Sequence, residues 1–191
     1  KGNEATAILV GDALQSLAFQ LIADAGIPAA EVRLNMLKTL AQAAGSRGMV
    51  GGQAMDLAAA GQTLNAMQLE DVHRNKTGAL ILASLQLGAL CGTRQDRASK
   101  EALTRYGNCI GLAFQVQDDI LDVEGDAASL GKQSGADAQH EKATYPALMG
   151  LEPARAFSRA LSEEAITALE DFDARADLLR ALAQYIVNRD R

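Results

Sequence analysis

The stretch Gly111-Leu112-Ala113-Phe114-Gln115-Val116-Gln117-Asp118-Asp119-Ile120-Leu121-Asp122 sets three carboxylates inside an otherwise apolar run. At about 100° per residue on an α-helix, Gln115, Asp118, Asp119 and Asp122 fall within an arc of about 100°, with Gly111 on the same stripe. The opposite face, Ile110, Leu112, Phe114, Val116 and Leu121, suits a core. The aspartates therefore face either solvent or a cavity between helices. A solvated charged face is the usual fate of such a run, but two features count against it. Asp is a weaker helix former than Glu or Lys. No Lys or Arg stands four residues away to offset the mutual repulsion. A hard divalent cation would remove that repulsion with oxygen ligands alone, keeping several waters and taking phosphate oxygens as its remaining partners. Gly125 and its acidic neighbours do not fit the spacing of an EF-hand loop. Zinc is disfavoured because His73 and His140 are far apart in sequence and the two cysteines stand alone.

Composition narrows the fold. With 48% hydrophobic but only 4% aromatic residues, the 191-residue chain must build its core from Ala, Leu, Ile and Met, which is the composition of a helical bundle. Three prolines are too few to punctuate many strands. No repeat or linker divides the chain, so residues 1–191 read as one all-α domain. A net charge of −6 argues against a nucleic-acid partner. Cys91 and Cys109 read as reduced core residues. Gly, Gln or charged residues interrupt every apolar run, which predicts no membrane insertion and a soluble, cytoplasmic protein.

Along the chain, Asn3 is positioned to cap a helix over 4–25 that Gly26-Ile27-Pro28 breaks. A second helix runs from Pro28 to near Gly45. Gly48, Gly51 and Gly52 crowd residues 46–60, so helix there requires a close backbone or ligand contact in compensation. Gln53 and Asp56 would share a face, with Asp56 equally consistent with a surface charge. Residues 65–91 and 95–124 read as two long helices, the second carrying the aspartates. Lys142-Ala143-Thr144-Tyr145-Pro146 opens a further helix, and residues 153–191 form two amphipathic helices, the first ending near Asp171 to Asp173.

Lys76-Thr77-Gly78 places an ammonium and a hydroxyl beside an apolar run, a combination suited to an anionic oxygen. Alone the triplet is weak, since a lysine extended along the surface is commoner. Solvated loop lysines are likewise the plain reading of Lys132 and Lys142. Gathered in one cavity with the aspartates, Lys76, Lys132 and Lys142 would bind a diphosphate through ammonium contacts and a bridging metal.

Four blocks carry a resemblance: Gly11-Asp12-Ala13-Leu14-Gln15, Gly51-Gly52-Gln53-Ala54-Met55-Asp56-Leu57, His73-Arg74-Asn75-Lys76-Thr77-Gly78-Ala79-Leu80, and the stretch 111–122. Together they resemble the trans-type polyprenyl diphosphate synthases, in particular the bacterial farnesyl diphosphate synthases, and the likeness spans the whole chain. The Phe-Gln-x-x-Asp-Asp-x-x-Asp block is similar to the second aspartate-rich motif of that family. The resemblance implies an all-α bundle of long antiparallel helices around a central cavity, and a homodimer. It also implies Mg²⁺-dependent condensation (Mn²⁺ being the alternative ion) of an allylic diphosphate, dimethylallyl or geranyl, with isopentenyl diphosphate. By the same resemblance Asp118, Asp119 and Asp122 serve the metal, Asp118 directly and the others through water. Lys76, Lys132 and Lys142 hold the allylic diphosphate. The Thr77 carbonyl and the Gln115 side-chain oxygen stabilise the developing cation.

One departure from the family is evident. No second Asp-Asp-x-x-Asp occurs, and the chain begins where a member would just have passed its first aspartate-rich motif. The expectation is a C-terminal portion, lacking its N-terminal helices, inactive by itself and exposing apolar surface that those helices would cover. Alternatives within the fold are a geranyl or longer-chain synthase, or a non-catalytic partner subunit. The intact block at 118–122 counts against the last.

Overall fold

Asn3 accepts a hydrogen bond from the Thr6 amide at 2.9 Å, and that cap opens α1 (Glu4–Asp24) as its sequence predicts. In the computed structural model, residues 3–26, 29–92, 96–130 and 143–189 are described, with backbone alone over 126–130. Among them every regular element is helical. No residue of α1 is buried, and Ile8, Leu9, Leu14 and Leu21 are each at least 60% exposed. With 21 residues, and a mean hydropathy of 1.4 over an 18-residue window, α1 is long and apolar enough to cross a membrane by length and composition alone, a test that core helices of soluble proteins also pass, so the expectation of no membrane insertion is not overturned.

The helices α2 (Ala30–Ala44) and α3 (Met49–Ala58) follow. Next, Asn65 and Gln68 form a reciprocal capping box that starts α4 (Ala66–His73). The predicted long helix over 65–91 is present but interrupted. Arg74–Gly78 form one π turn before α5 (Ala79–Cys91) resumes. Asp96 caps α6 (Arg97–Leu130) through the Ser99 amide at 2.8 Å. At 34 residues α6 is the spine of the molecule, about 51 Å long at 1.5 Å per residue. Thr144 and Pro146 start the short α7 (Tyr145–Met149), and Gly150, at φ 90°, makes the left-handed turn into α8 (Leu151–Ala168). A 3₁₀ turn (Ala174–Ala176) leads into α9 (Asp177–Asn188).

The core lies where α6 packs along α8 and α9. Tyr106, Ile110, Ala113, Val116 and Ile120 of α6 meet Leu161, Ala165, Leu169 and Ile186. Polar ties fix the register: the Tyr106 hydroxyl donates to the Leu179 carbonyl at 2.7 Å and Ser162 to the Ala183 carbonyl at 2.8 Å. The α8 helix stops at Ala168, a few residues before the predicted end. There the Arg180 guanidinium takes the Leu169 and Phe172 carbonyls, each at 2.6 Å, and so closes the helix terminus.

The glycine-dense segment is helical, and the close contact it required is present. A Cβ on Gly52 would lie 2.1 Å from the Lys76 nitrogen, so α3 rests directly on the π turn. From the other side, a Cβ on Gly111 would lie 3.0 Å from Gly78 Cα. Three backbones therefore converge at residues 74–78.

Two outcomes follow from this packing. Gly52→Ala should lower the unfolding free energy by about 3 kcal/mol, since the obstructing atoms are backbone and cannot rotate away. Gly88→Ala on the exposed side of α5, with nothing within 4 Å of the added methyl, should raise it by about 1 kcal/mol through helix propensity; denaturant titration reads both. The cysteines also separate, which corrects their joint placement in the core: Cys109 is buried, whereas Cys91 ends α5 exposed. Burial, with Glu164 beside it, pushes the Cys109 thiol up to about 11. Alkylation of the folded protein at pH 8 should therefore add a single group, at Cys91, as counted by intact mass.

Candidate active site

Lys76 and Thr77 sit at the centre of the π turn, a distortion that recurs at functional sites because the switch from i+4 to i+5 bonding alters side-chain direction and frees backbone carbonyl capacity. Lys76 extends to α3, where its Nζ lies 2.5 Å from Asp56 Oδ2. Asp56 is thus the counter-charge of Lys76. Both side chains remain about 30% exposed, so the pair is open to exchange with a bound anion. Thr77 points the other way, and its hydroxyl donates to Gln115 Oε1 on α6 at 3.1 Å.

The three aspartates occupy three environments. Asp122 is exposed. Asp118 is partly exposed and ion-paired with Arg189, just after α9. The same guanidinium donates to the Phe114 carbonyl at 3.2 Å and lies 4.2 Å above the Phe114 ring, a cation–π contact that holds it over the carboxylate. Asp119 is fully buried. Its Oδ2 accepts from the Tyr145 amide at 3.1 Å and lies 3.7 Å from His73 Nε2. Its Oδ1 accepts from the Gln115 side-chain amide at 3.4 Å. Asp119 stands at the edge of the acidic arc, about 20° from Leu112 at 100° per residue, and packing draws it to the buried side. His73 stacks on Tyr145 with ring centroids 5.8 Å apart, and burial raises the Tyr145 phenol well above its ordinary value.

Of the residues singled out in the sequence, the structure joins Thr77 to Gln115 and Gln115 to Asp119, whereas Lys76 turns to Asp56, Asp118 is held by Arg189 and Asp122 is exposed. Lys132 and Lys142 lie outside the described residues. Sequence reasoning passed over His73 and Tyr145 as site residues. Their signal was present: a histidine beside Leu69 and Val72 on one apolar face, and a tyrosine at a capped helix start. Among the described residues no group of three or more His, Cys, Asp or Glu side chains clusters closely enough to chelate an ion alone. Asp118 and Asp122, one turn apart on α6, present oxygen ligands only. They fit a hard divalent cation that completes its shell with water and phosphate oxygens. A separate cavity of about 360 Å³, between α2, α5 and α6, includes Thr104 and so lies about 21 Å along α6 from Asp118.

Residues 1–185 match the family described as polyprenyl synthetase. The chain is 50% identical to farnesyl diphosphate synthase of Escherichia coli over 100% of its own length and 66% of that protein. It superposes on the FPP/GFPP synthase of Zymomonas mobilis with a TM-score of 0.83 at 41% identity, covering 96% of this chain and 61% of the other. A geranyltransferase from Helicobacter pylori, solved in complex with magnesium and isoprenyl diphosphate, gives a TM-score of 0.77 at 34% identity over 97% and 60%. The chain thus spans somewhat less than two thirds of the length of these relatives.

Proposed function

This chain belongs to the polyprenyl synthetase family, and from that premise we propose that it forms part of a short-chain prenyltransferase. The reaction joins isopentenyl diphosphate head to tail to dimethylallyl or geranyl diphosphate, with farnesyl diphosphate as product. The observation that carries this reading is the meeting of the π turn and α6. There Thr77 of the turn hydrogen-bonds Gln115 of α6, its neighbour Lys76 carries a part-exposed ammonium, and Asp118 and Asp122 stand one and two turns further along α6 with carboxylates that reach solvent.

Each group has a task that the chemistry requires. Breaking the allylic C–O bond leaves a carbocation and a diphosphate, so positive charge is needed on the leaving side and neutral oxygens on the carbon side. Asp118 and Asp122 would hold Mg²⁺ or Mn²⁺, with Asp119 acting at most through water; the ion, when bound, neutralises charge on the departing diphosphate. Lys76, released from Asp56, donates to the same diphosphate, and Lys132 and Lys142 are assigned there with it. The Thr77 carbonyl and Gln115 Oε1 face the allylic carbon and stabilise its charge without attacking it. The isopentenyl double bond then forms the new C–C bond, and the proton passes to the released diphosphate. No protein base is required. A farnesyl rather than a longer product, a homodimeric assembly and a cytoplasmic location complete the proposal, supported by the 50% identity to the Escherichia coli enzyme.

The test is consumption of isopentenyl and dimethylallyl diphosphate by the full-length protein with Mg²⁺. Asp118→Ala should lower kcat by about 10²-fold, the scale of losing one electrostatic stabiliser, at an unchanged melting temperature. An undiminished rate would remove Asp118 from the metal site. Because Arg189 already neutralises Asp118, a divalent ion must displace it. Arg189→Ala should therefore tighten Mn²⁺ binding in the absence of substrate by about tenfold, equivalent to about 1.4 kcal/mol, as read by calorimetric titration.

A further inference from the structure

Gln115 is useful to a cation only if its oxygen, not its NH₂, faces the reacting carbon. A primary amide is nearly symmetric in shape, so its neighbours must choose the orientation. Among the described residues two side chains hydrogen-bond to it. The Thr77 hydroxyl, 3.1 Å from Oε1, can donate or accept and so imposes no choice. The other is Asp119 Oδ1, 3.4 Å from Nε2. A carboxylate oxygen accepts only, and turning the amide over would set two oxygens against each other at that distance.

Asp119 is itself held. Its carboxylate has no exposed surface, its Oδ2 is anchored by the backbone amide of Tyr145, and the His73 ring closes the same side. A backbone amide cannot reverse its polarity, so direction passes in one sense: the Tyr145 amide fixes Asp119, Asp119 fixes Gln115, and Oε1 is left turned to the Thr77 side.

We propose that Asp119 is a positioning residue whose buried carboxylate, anchored by the Tyr145 amide, sets the amide orientation of Gln115 and is not a ligand of the divalent cation. Cation binding then falls to Asp118 and Asp122. The inference rests on the prenyltransferase reading for the use of Gln115 Oε1, but the orientation of the amide can be measured without it.

Asp119→Asn makes the test sharp. The Tyr145 amide would hold the new side chain by its oxygen, leaving its NH₂ toward Gln115, so the Gln115 amide must turn over. Four readouts apply to the full-length protein. In ¹⁵N-labelled samples the Gln115 side-chain NH₂ resonance should shift in Asp119→Asn and stay in place in Asp118→Asn, whether or not the protein has activity. Calorimetric titration should give Mn²⁺ affinity within about twofold of the parent for Asp119→Asn, but weakened at least tenfold for Asp118→Asn. Turnover should fall by about 10²-fold in kcat, the cost of a misplaced group, with KM for the allylic diphosphate unchanged. In a Gln115→Leu background the same substitution should cost nothing further.

Loss of Mn²⁺ affinity in Asp119→Asn equal to that in Asp118→Asn, or an unmoved Gln115 resonance, would overturn the proposal. So would additive losses in the double variant. If Asp119→Asn does not fold, Gln115→Glu serves instead: it keeps an oxygen near the cation but cannot donate to Asp119, and undiminished kcat in that variant would equally sink the idea. A parent protein with no turnover but a shifted resonance and retained Mn²⁺ binding in Asp119→Asn would overturn the prenyltransferase reading while supporting the assignment of Asp119.

Discussion

The close approach of three backbones at residues 74–78 is the constraint on which the rest of the site depends. An α3 helix with a side chain at position 52 would meet the Lys76 nitrogen at 2.1 Å, and α6 is admitted on the other side only because Gly111 faces Gly78. With no Cβ atoms to separate them, the helices bring their flanking side chains into direct contact. That is why Asp56 reaches Lys76 and Thr77 reaches Gln115, although 20 and 38 residues separate them in the chain. The π turn belongs to the same arrangement. It locally breaks the α-helical register, a cost that persists only where surrounding contacts over-determine the conformation.

The second organising feature is the unequal treatment of three similar carboxylates. Taking a carboxylate out of water is tolerated only where donors replace the lost hydration. Asp119 has such donors in the Tyr145 amide and the Gln115 NH₂. Asp118 keeps some water and an arginine, whereas Asp122 is left to solvent. This gradient along five residues separates a group suited to holding the framework from groups suited to exchanging partners. Arg189 fits the same logic. Resting on Phe114 and its carbonyl, it balances the charge of Asp118.

Much of the architecture was legible in the sequence because its signals are local. The Asn3 cap, the breaks at Gly26 and Gly45, the helix over 65–91 and the helix start at Thr144 all rest on signals within a few residues. The requirement that Gly52 meet another backbone could also be stated in advance, though not what it would meet. The π turn carries no local signal at all. His-Arg-Asn-Lys-Thr-Gly propagates as an ordinary helix by propensity, and only the packing of α3 and α6 shows why it does not.

The chemistry of the site was written into residue types: adjacent aspartates with Gln115 on one stripe, and Lys-Thr-Gly beside an apolar run. Those identities, with helical spacing, determined which atoms are available and their sign of charge. Tertiary structure decided their allocation. Asp118 and Asp119 are chemically identical neighbours in one helix, and a 100° turn sends one toward Arg189 and the other into the core. Spacing along a single helix describes an arc but not what lies opposite each point of it. The partners that distinguish the two aspartates, Arg189 and Tyr145, come from segments 71 and 26 residues away and meet them only when α6 is packed.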